Sequence, residues 1–224
     1  ELPRLPPRSP AASLEALSAL PGFRVELVAS EPLVTDPVAL DFAADGSVYV
    51  VCMRGYSEDA DENLGEVRRL VDRDGDGRLD VSERFAHGLS WPTGIACWKD
   101  GVFVTVAPDL VFLADRDGDG KAEVRERIFS GFGRGNVQGL VNSLRRGIDG
   151  RLHGATSSSG ASVLRTAGAT AGGPLSLRRR DFSFDPRHLD MRPESGGAQH
   201  GLSFDDWGRK FVCSNSRHIE ACLL

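Results

Sequence analysis

Val38-Ala39-Leu40-Asp41-Phe42-Ala43-Ala44-Asp45-Gly46-Ser47-Val48-Tyr49-Val50-Val51 joins a small or apolar approach, an Asp-Gly turn and a β-branched strand. Asp-Gly between apolar runs signals a hairpin, because glycine supplies the positive φ such turns need. The same parts recur at Gly94-Ile95-Ala96 to Asp100-Gly101-Val102-Phe103-Val104 and at Leu144 to Asp149-Gly150-Arg151-Leu152-His153-Gly154. A fourth copy runs from Gly201-Leu202-Ser203-Phe204 to Trp207-Gly208-Arg209-Lys210-Phe211-Val212. The turn glycines 46, 101, 150 and 208 lie 55, 49 and 58 residues apart. Periods of about 40–50 residues with several strands each mark β-propeller blades, the surplus lying in loops.

The expected fold is therefore all-β, with antiparallel four-stranded blades. Six blades at this spacing need roughly 300 residues, so 224 residues predict about three and a half blades, an open arc from a longer parent. Residues 31–224 are assigned to the partial propeller, with innermost strands near 47–53, 102–106, 151–155 and 209–213. Residues 1–30 form a lead. Within it, Ser9 as N-cap and Pro10 at the first helical position predict a helix through Leu20. Pro21-Gly22 ends it, and Phe23-Arg24-Val25-Glu26-Leu27-Val28-Ala29 alternates like a strand with one buried face.

Composition narrows the function. The chain has 27 basic and 32 acidic residues, for a net charge of −5, and no basic stripe, which argues against nucleic acid. No apolar run approaches the ~18 residues of a membrane-spanning helix, so this portion has no membrane segment. Cys52, Cys97, Cys213 and Cys222 form neither CxxC nor CxxCH, which excludes a zinc ribbon and a c-type haem site within these residues. Two disulfides in an exported protein and buried free thiols both fit the count.

Two segments repeat a calcium-loop spacing. Asp72-Arg73-Asp74-Gly75-Asp76-Gly77-Arg78-Leu79-Asp80 is echoed 43 residues later by Asp115-Arg116-Asp117-Gly118-Asp119-Gly120-Lys121-Ala122-Glu123. Acidic oxygens at positions 1, 3, 5 and 9 with glycine at 6 suit calcium, and Glu83 and Glu126 occupy position 12. In an EF-hand a following helix returns the twelfth residue, whereas here a strand follows, so these glutamates are free to point elsewhere. A weak structural calcium site and a metal-free Asp/Gly hairpin both stand.

Phe132-Gly133-Arg134-Gly135-Asn136-Val137-Gln138-Gly139-Leu140-Val141-Asn142 leads into the third repeat. Its carboxamides Asn136, Gln138 and Asn142 can bind a sugar hydroxyl or a cofactor carbonyl, or else cap backbone groups in a turn. Gln199-His200 stands in the same place before the fourth repeat. With both aspartate loops, these residues are expected on one rim of the channel, where Arg134 would steady an anionic group. No histidine pair has metal-ligand spacing. His153 reads as packing, Arg178-Arg179-Arg180 as a solvated edge, and Trp91, Trp98 and Trp207 as core or blade-edge residues.

Pro21-Gly22-Phe23-Arg24-Val25-Glu26-Leu27-Val28-Ala29-Ser30-Glu31-Pro32-Leu33, Asp36-Pro37-Val38-Ala39 and Met53-Arg54-Gly55-Tyr56 resemble one large bacterial family. The similarity continues through Asp72–Gly77, Pro92-Thr93-Gly94, Ala107-Pro108-Asp109-Leu110, Gly133–Asn136, Asn142, Phe204-Asp205-Asp206-Trp207-Gly208 and Cys213-Ser214-Asn215-Ser216. This is the membrane-bound dehydrogenase family abundant in planctomycetes and verrucomicrobia, also described as haem-binding CxxCH proteins. Its propeller resembles that of soluble quinoprotein glucose dehydrogenase. The resemblance implies a periplasmic or otherwise exported oxidoreductase module that uses pyrroloquinoline quinone (PQQ) on sugars or other alcohols. Electrons would pass to haem c in a cytochrome c domain outside this chain. Where related sequences often read Gln-His before the third inner strand, this chain has Gln138-Gly139, which leaves His200 as the candidate base. The competing expectation is a non-catalytic, calcium-stabilised propeller that binds carbohydrate or a protein partner.

Overall fold

The computed structural model describes residues 6–168 and 173–222. Strands take 40% of the residues and helix 6%, so the fold is all-β. The lead begins with α1 (Pro10–Glu15), whose N-cap Ser9 accepts from the Ala12 N–H at 3.2 Å. The helix stops at Glu15, short of the expected Leu20, and buries none of its side chains. Residues 23–29 are not a strand. Their alternation meets no sheet edge, and Phe23 is 76% exposed. The Phe23 N–H donates to the Leu20 carbonyl at 3.0 Å, and the Val28 carbonyl accepts from the Leu79 N–H at 2.9 Å.

The first blade contains β1 (Pro37–Phe42), β2 (Val48–Cys52), β3 (Gly65–Val71) and β4 (Val81–Leu89), hydrogen-bonded in that order. The second repeats the arrangement with β5 (Gly94–Trp98), β6 (Gly101–Val106), β7 (Asp109–Ala114) and β8 (Val124–Phe132). The third starts with β9 (Asn142–Arg146) and β10 (Leu152–Ala155), then leaves its own sheet. The hairpin β11 (Ala161–Arg165) and β12 (Leu175–Ser176) pairs instead with β8, widening the second sheet to six strands. Strands β13 (Asp181–Phe184) and β14 (Met191–Glu194) then complete the third blade. The fourth sheet holds β15 (Leu202–Phe204), β16 (Lys210–Val212) and β17 (Glu220–Cys222). All pairings are antiparallel, as expected, and the four sheets do not close into a ring among the described residues.

One expectation about position is corrected. The strands at 48–52, 101–106, 152–155 and 210–212 are second in their sheets, not innermost. The axis is lined by the short approach strands β1, β5, β9 and β15, which touch one another from blade to blade. Small residues permit that crowding: a Cβ on Gly94 would stand 2.8 Å from Thr105 Oγ1 and 3.3 Å from the Ser143 nitrogen. Cross-blade hydrogen bonds lace the axis, with the Cys97 N–H donating to Asp41 at 2.7 Å and Asn142 Nδ2 to the Gln199 carbonyl at 2.9 Å.

The second strands are instead the filling between blades. Val102, Phe103 and Val104 are all buried, because the second sheet lies between the first and the third. Strands covered on both sides read as continuous apolar runs rather than as an alternation. Phe184 of the third blade bridges to the second, with ring centroids 5.2 Å from Phe103 and 5.4 Å from Phe129. All four cysteines are free. Burial pushes the Cys97 thiol up to about 12.

Candidate functional site

Strand parity decides which loops share a face. The first strand of every blade enters from one face, here the entry face, and leaves at the other, the exit face. In an antiparallel blade, the loops before the first strand and after the second lie on the entry face. The loops after the first and third strands lie on the exit face.

The entry face therefore gathers the segments 53–64, 90–93, 133–141, 156–160 and 195–201. At its centre Trp91 is buried, and its indole N–H donates to the Gly55 carbonyl at 3.0 Å. The Arg134 guanidinium lies 5.5 Å over the Trp91 ring and donates to Ser90 Oγ at 2.9 Å. A planar guanidinium stacked on an aromatic face is held in place while its remaining N–H groups stay available.

The carboxamides divide into two groups. Asn136 caps the short 3₁₀ turn Val137–Gly139, accepting from the Gln138 N–H at 3.0 Å and donating to Ser158 Oγ at 3.1 Å. Asn142 is buried and donates to the Leu140 and Gln199 carbonyls at 2.8 and 2.9 Å. The Gln199 side-chain oxygen accepts from the Asn215 N–H at 3.1 Å. These three hold the frame. Gln138 and His200 are exposed, and neither side chain has a hydrogen-bond partner among the described residues. The structure thus offers Arg134, Gln138 and His200 as groups free to meet a ligand.

The sequence reading missed two features of this face. Ser157 has φ +55°, and its buried hydroxyl has no partner. The Tyr56 ring meets Trp91 edge-on, with centroids 5.9 Å apart. The run Thr156-Ser157-Ser158-Ser159-Gly160 was visible in the sequence. Its place beside Asn136 comes from the third blade's detour through β11.

The aspartate loops are on the exit face, opposite the carboxamides, and the expectation of a shared rim is corrected. Each loop joins the third strand of its blade to the fourth, since the approach segment is itself the first strand. Two ion pairs fix the placement. Arg69 at the end of β3 meets Asp45 of the first turn at 3.0 Å, and Arg116 of the second loop reaches Asp100 at 3.9 Å. The Ser47 hydroxyl and N–H, with Arg69, hold the Asp45 carboxyl down at about 2.

Within the loops, carboxylate oxygens of Asp72, Asp74 and Asp76 lie within 4.8 Å of one another, as do those of Asp115, Asp117 and Glu123. Asp80 and Asp119 stand outside these groups. Asp80 accepts from the Arg73 N–H at 3.0 Å, and Asp119 from the Lys121 N–H at 2.8 Å. Asp72 accepts from the Gly75 and Gly77 N–H groups at 2.7 and 2.8 Å, and the Gly77 contact holds its carboxyl below the usual range. Glu83 turns away from its own loop to Arg69, 3.4 Å away, and its carboxylate lies against Gly120 of the second loop. Three carboxylates per loop fit a weakly held calcium ion, but the bidentate glutamate of an EF-hand is missing.

Fold and parity together define a β-propeller whose entry face carries the free polar groups and whose exit face carries the acidic loops. The family described as a domain of unknown function, DUF7133, matches residues 9–224, and the chain belongs to it. No curated protein matches the chain. Among solved structures, it is similar to the holo PQQ domain of pyranose dehydrogenase from Coprinopsis cinerea, with TM-score 0.60 and 13% identity. That match covers 87% of this chain and 47% of the other, so the chain spans about half of that domain's length. A gluconolactonase from Xanthomonas campestris is similar at TM-score 0.47 and 19% identity, over 84% of this chain and 57% of its own. At 13% identity, what the pyranose dehydrogenase domain shares with this chain is the fold. No helix among the described residues is long and apolar enough to cross a membrane.

Proposed function

We propose that this propeller is the substrate-handling module of an exported quinoprotein-type dehydrogenase. It would act on sugars or other alcohols and pass electrons to a cytochrome c domain elsewhere in its parent chain. Membership among the planctomycete-type dehydrogenases is part of the same reading. The observation that carries it is that most of the loop motifs of the resemblance meet on the entry face, while Asp72–Gly77 and Phe204–Gly208 lie on the exit face. Met53–Tyr56, Pro92–Gly94, Gly133–Asn136, Asn142 and Cys213–Ser216 come from loops of all four blades, and strand parity brings them to one rim. The likeness of the fold to a PQQ domain supports the same reading.

The donor set suits a quinone carrying carbonyl and carboxylate oxygens. The stacked guanidinium of Arg134 would hold an anionic oxygen, and the Gln138 carboxamide a carbonyl. Bound there, the quinone would supply a two-electron acceptor for the hydride of a carbinol carbon. His200 would take the hydroxyl proton as that carbon becomes a carbonyl, and Asn142 and Gln199 would keep its backbone in place. General-base assistance contributes about 10²–10⁴-fold. Replacing His200 by glutamine in the full-length enzyme, supplied with quinone and calcium, should therefore cut dye-linked turnover on its best sugar or alcohol by about 10²-fold or more. Unchanged turnover with intact folding removes His200 from the role. Failure of the native enzyme to reduce dye with any sugar or alcohol leaves the non-catalytic binding propeller.

Calcium at the aspartate loops is the second element of the proposal. Asp74→Ala with Asp117→Ala removes one carboxylate from each acidic group. The melting temperature should drop relative to the native chain when calcium is supplied and stay level with it in chelator. An equal loss in both conditions would identify plain Asp/Gly turns.

A further inference from the structure

The third and fourth blades enclose a cleft of roughly 450 Å³, lined by the exit-face turns 147–149 and 207–209 and by Glu194 and Ser195 at the end of β14. At its mouth stands Trp207, 75% exposed on the turn between β15 and β16. An exposed tryptophan beside a cleft offers a large, flat apolar face on which a ligand can stack. This one is held in position. The Arg209 guanidinium lies 5.2 Å from its ring, and Asp205 holds Arg209 by a 2.6 Å ion pair and the Trp207 N–H at 3.1 Å. Ile148, also 75% exposed, sits against Gly208 across the mouth.

In the polar lining both cations are paired, while the Asp149 and Glu194 carboxylates face no permanent cation. His153 Nε2 lies 3.1 Å from Asp149, Arg209 is bound to Asp205, and Lys210 to Asp181. Glu194 accepts from Ser183 Oγ at 2.6 Å. The two carboxylates disfavour an anionic ligand and keep lone pairs that can accept from hydroxyl groups. A flat apolar plate beside carboxylate acceptors matches a ligand with one C–H face and several equatorial hydroxyls.

We propose that this cleft is a binding site for a neutral pyranose saccharide, stacked on Trp207 with its hydroxyls toward Asp149 and Glu194. The site is distinct from Arg134, Gln138 and His200, none of which lines it. It does not rest on the redox reading, and it holds whether or not the propeller is an enzyme.

The test is direct binding without quinone, using neutral gluco-, xylo- and manno-oligosaccharides as probes in calorimetry and in the indole fluorescence of Trp207. The native chain should bind at least one of them, with a blue shift or quench of the exposed indole. Trp207→Ala should weaken that binding at least tenfold, and Trp207→Tyr should restore most of it by supplying another ring. Phe42→Ala removes a 66%-exposed apolar residue from the same face but outside the cleft, and it should bind as the native chain does. Thermal melts of the Trp207 variants should match the native chain, since the side chain is in water. No binding of any probe by the native chain overturns the proposal, as does binding that survives Trp207→Ala.

Discussion

Replacing Lys210 by methionine should lower stability by about 3–5 kcal/mol, the usual cost of stripping one partner from a buried ion pair. For a chain of this size that is roughly 6–20 °C in melting temperature. Lys210 and Asp181 are 10% and 0% exposed, and the ammonium donates to Asp181 at 2.5 Å and to the Ser195 carbonyl at 2.7 Å. Asp181 also accepts from the Ala198 N–H at 3.1 Å. The pair pins the second strand of the fourth blade to the third strand of the third. Gly196 is required beside it, because a Cβ there would collide with the Asp181 carboxylate.

A second variant separates the lost charge from the lost packing. Lys210→Met with Asp181→Asn removes both charges and keeps an oxygen for Ala198, so it should regain most of the stability. The pH dependence follows from burial, which pushes the Asp181 carboxyl up from 3.8 while Lys210 pulls it down. A carboxyl with a raised folded-state value favours the fold below its unfolded pKa and loses that contribution as pH rises. The Lys210→Met deficit should therefore be large at pH 7 and shrink toward pH 4, where Asp181 takes up a proton and no longer needs a cation. A deficit below about 1 kcal/mol at pH 7, measured by denaturant unfolding, would show that the pair does not hold the blades together.

Phe184→Ala should be comparably damaging, at about 3–5 kcal/mol. The ring is fully buried and contacts Phe103 and Phe129 of the preceding blade, so its removal opens a cavity between two sheets that cannot easily collapse. Phe184→Leu, which keeps most of the volume, should cost less than half as much. If both substitutions cost the same small amount in a urea titration, the interface between the second and third blades is not the packed core described here. Trp207→Ala serves as the internal contrast, since a solvent-facing change away from a buried network stays within about 0.5 kcal/mol.

Much of the fold was legible because each blade carries its own local signal. The turn glycines Gly46, Gly150 and Gly208 have the positive φ that Asp-Gly and Trp-Gly turns demand. In the second copy Lys99 takes the left-handed position. Gly101 serves there by lacking a Cβ, which would strike the Leu113 carbonyl. The strands after these turns were legible as runs of valine and aromatic residues. The candidate ligand groups were legible only as types: a string of carboxamides cannot say which of them will cap a turn and which will face solvent. Asn136 and Asn142 were absorbed by Ser158, Leu140 and Gln199, partners 22, 2 and 57 residues away.

The amino-acid sequence by itself determined the repeat, the antiparallel blades, the two aspartate loops and the entry segments rich in amides. A repeat is a local property, written again in each copy by turn chemistry and side-chain period. Tertiary structure alone decided which strand lines the axis, and hence which loops share a face. Asn142–Arg146 and Leu202–Phe204 are short and partly polar, and read as approaches, yet they are the innermost strands. Counting one strand more per blade moves both aspartate loops to the far side of the propeller. Only the assembled blades could show that β11 and β12 cross to β8, that Lys210 is buried against Asp181, and that Trp207 stands in water above a cleft. Each of these depends on pairing between distant segments, and a period of two along a strand carries no information about which neighbour it will meet.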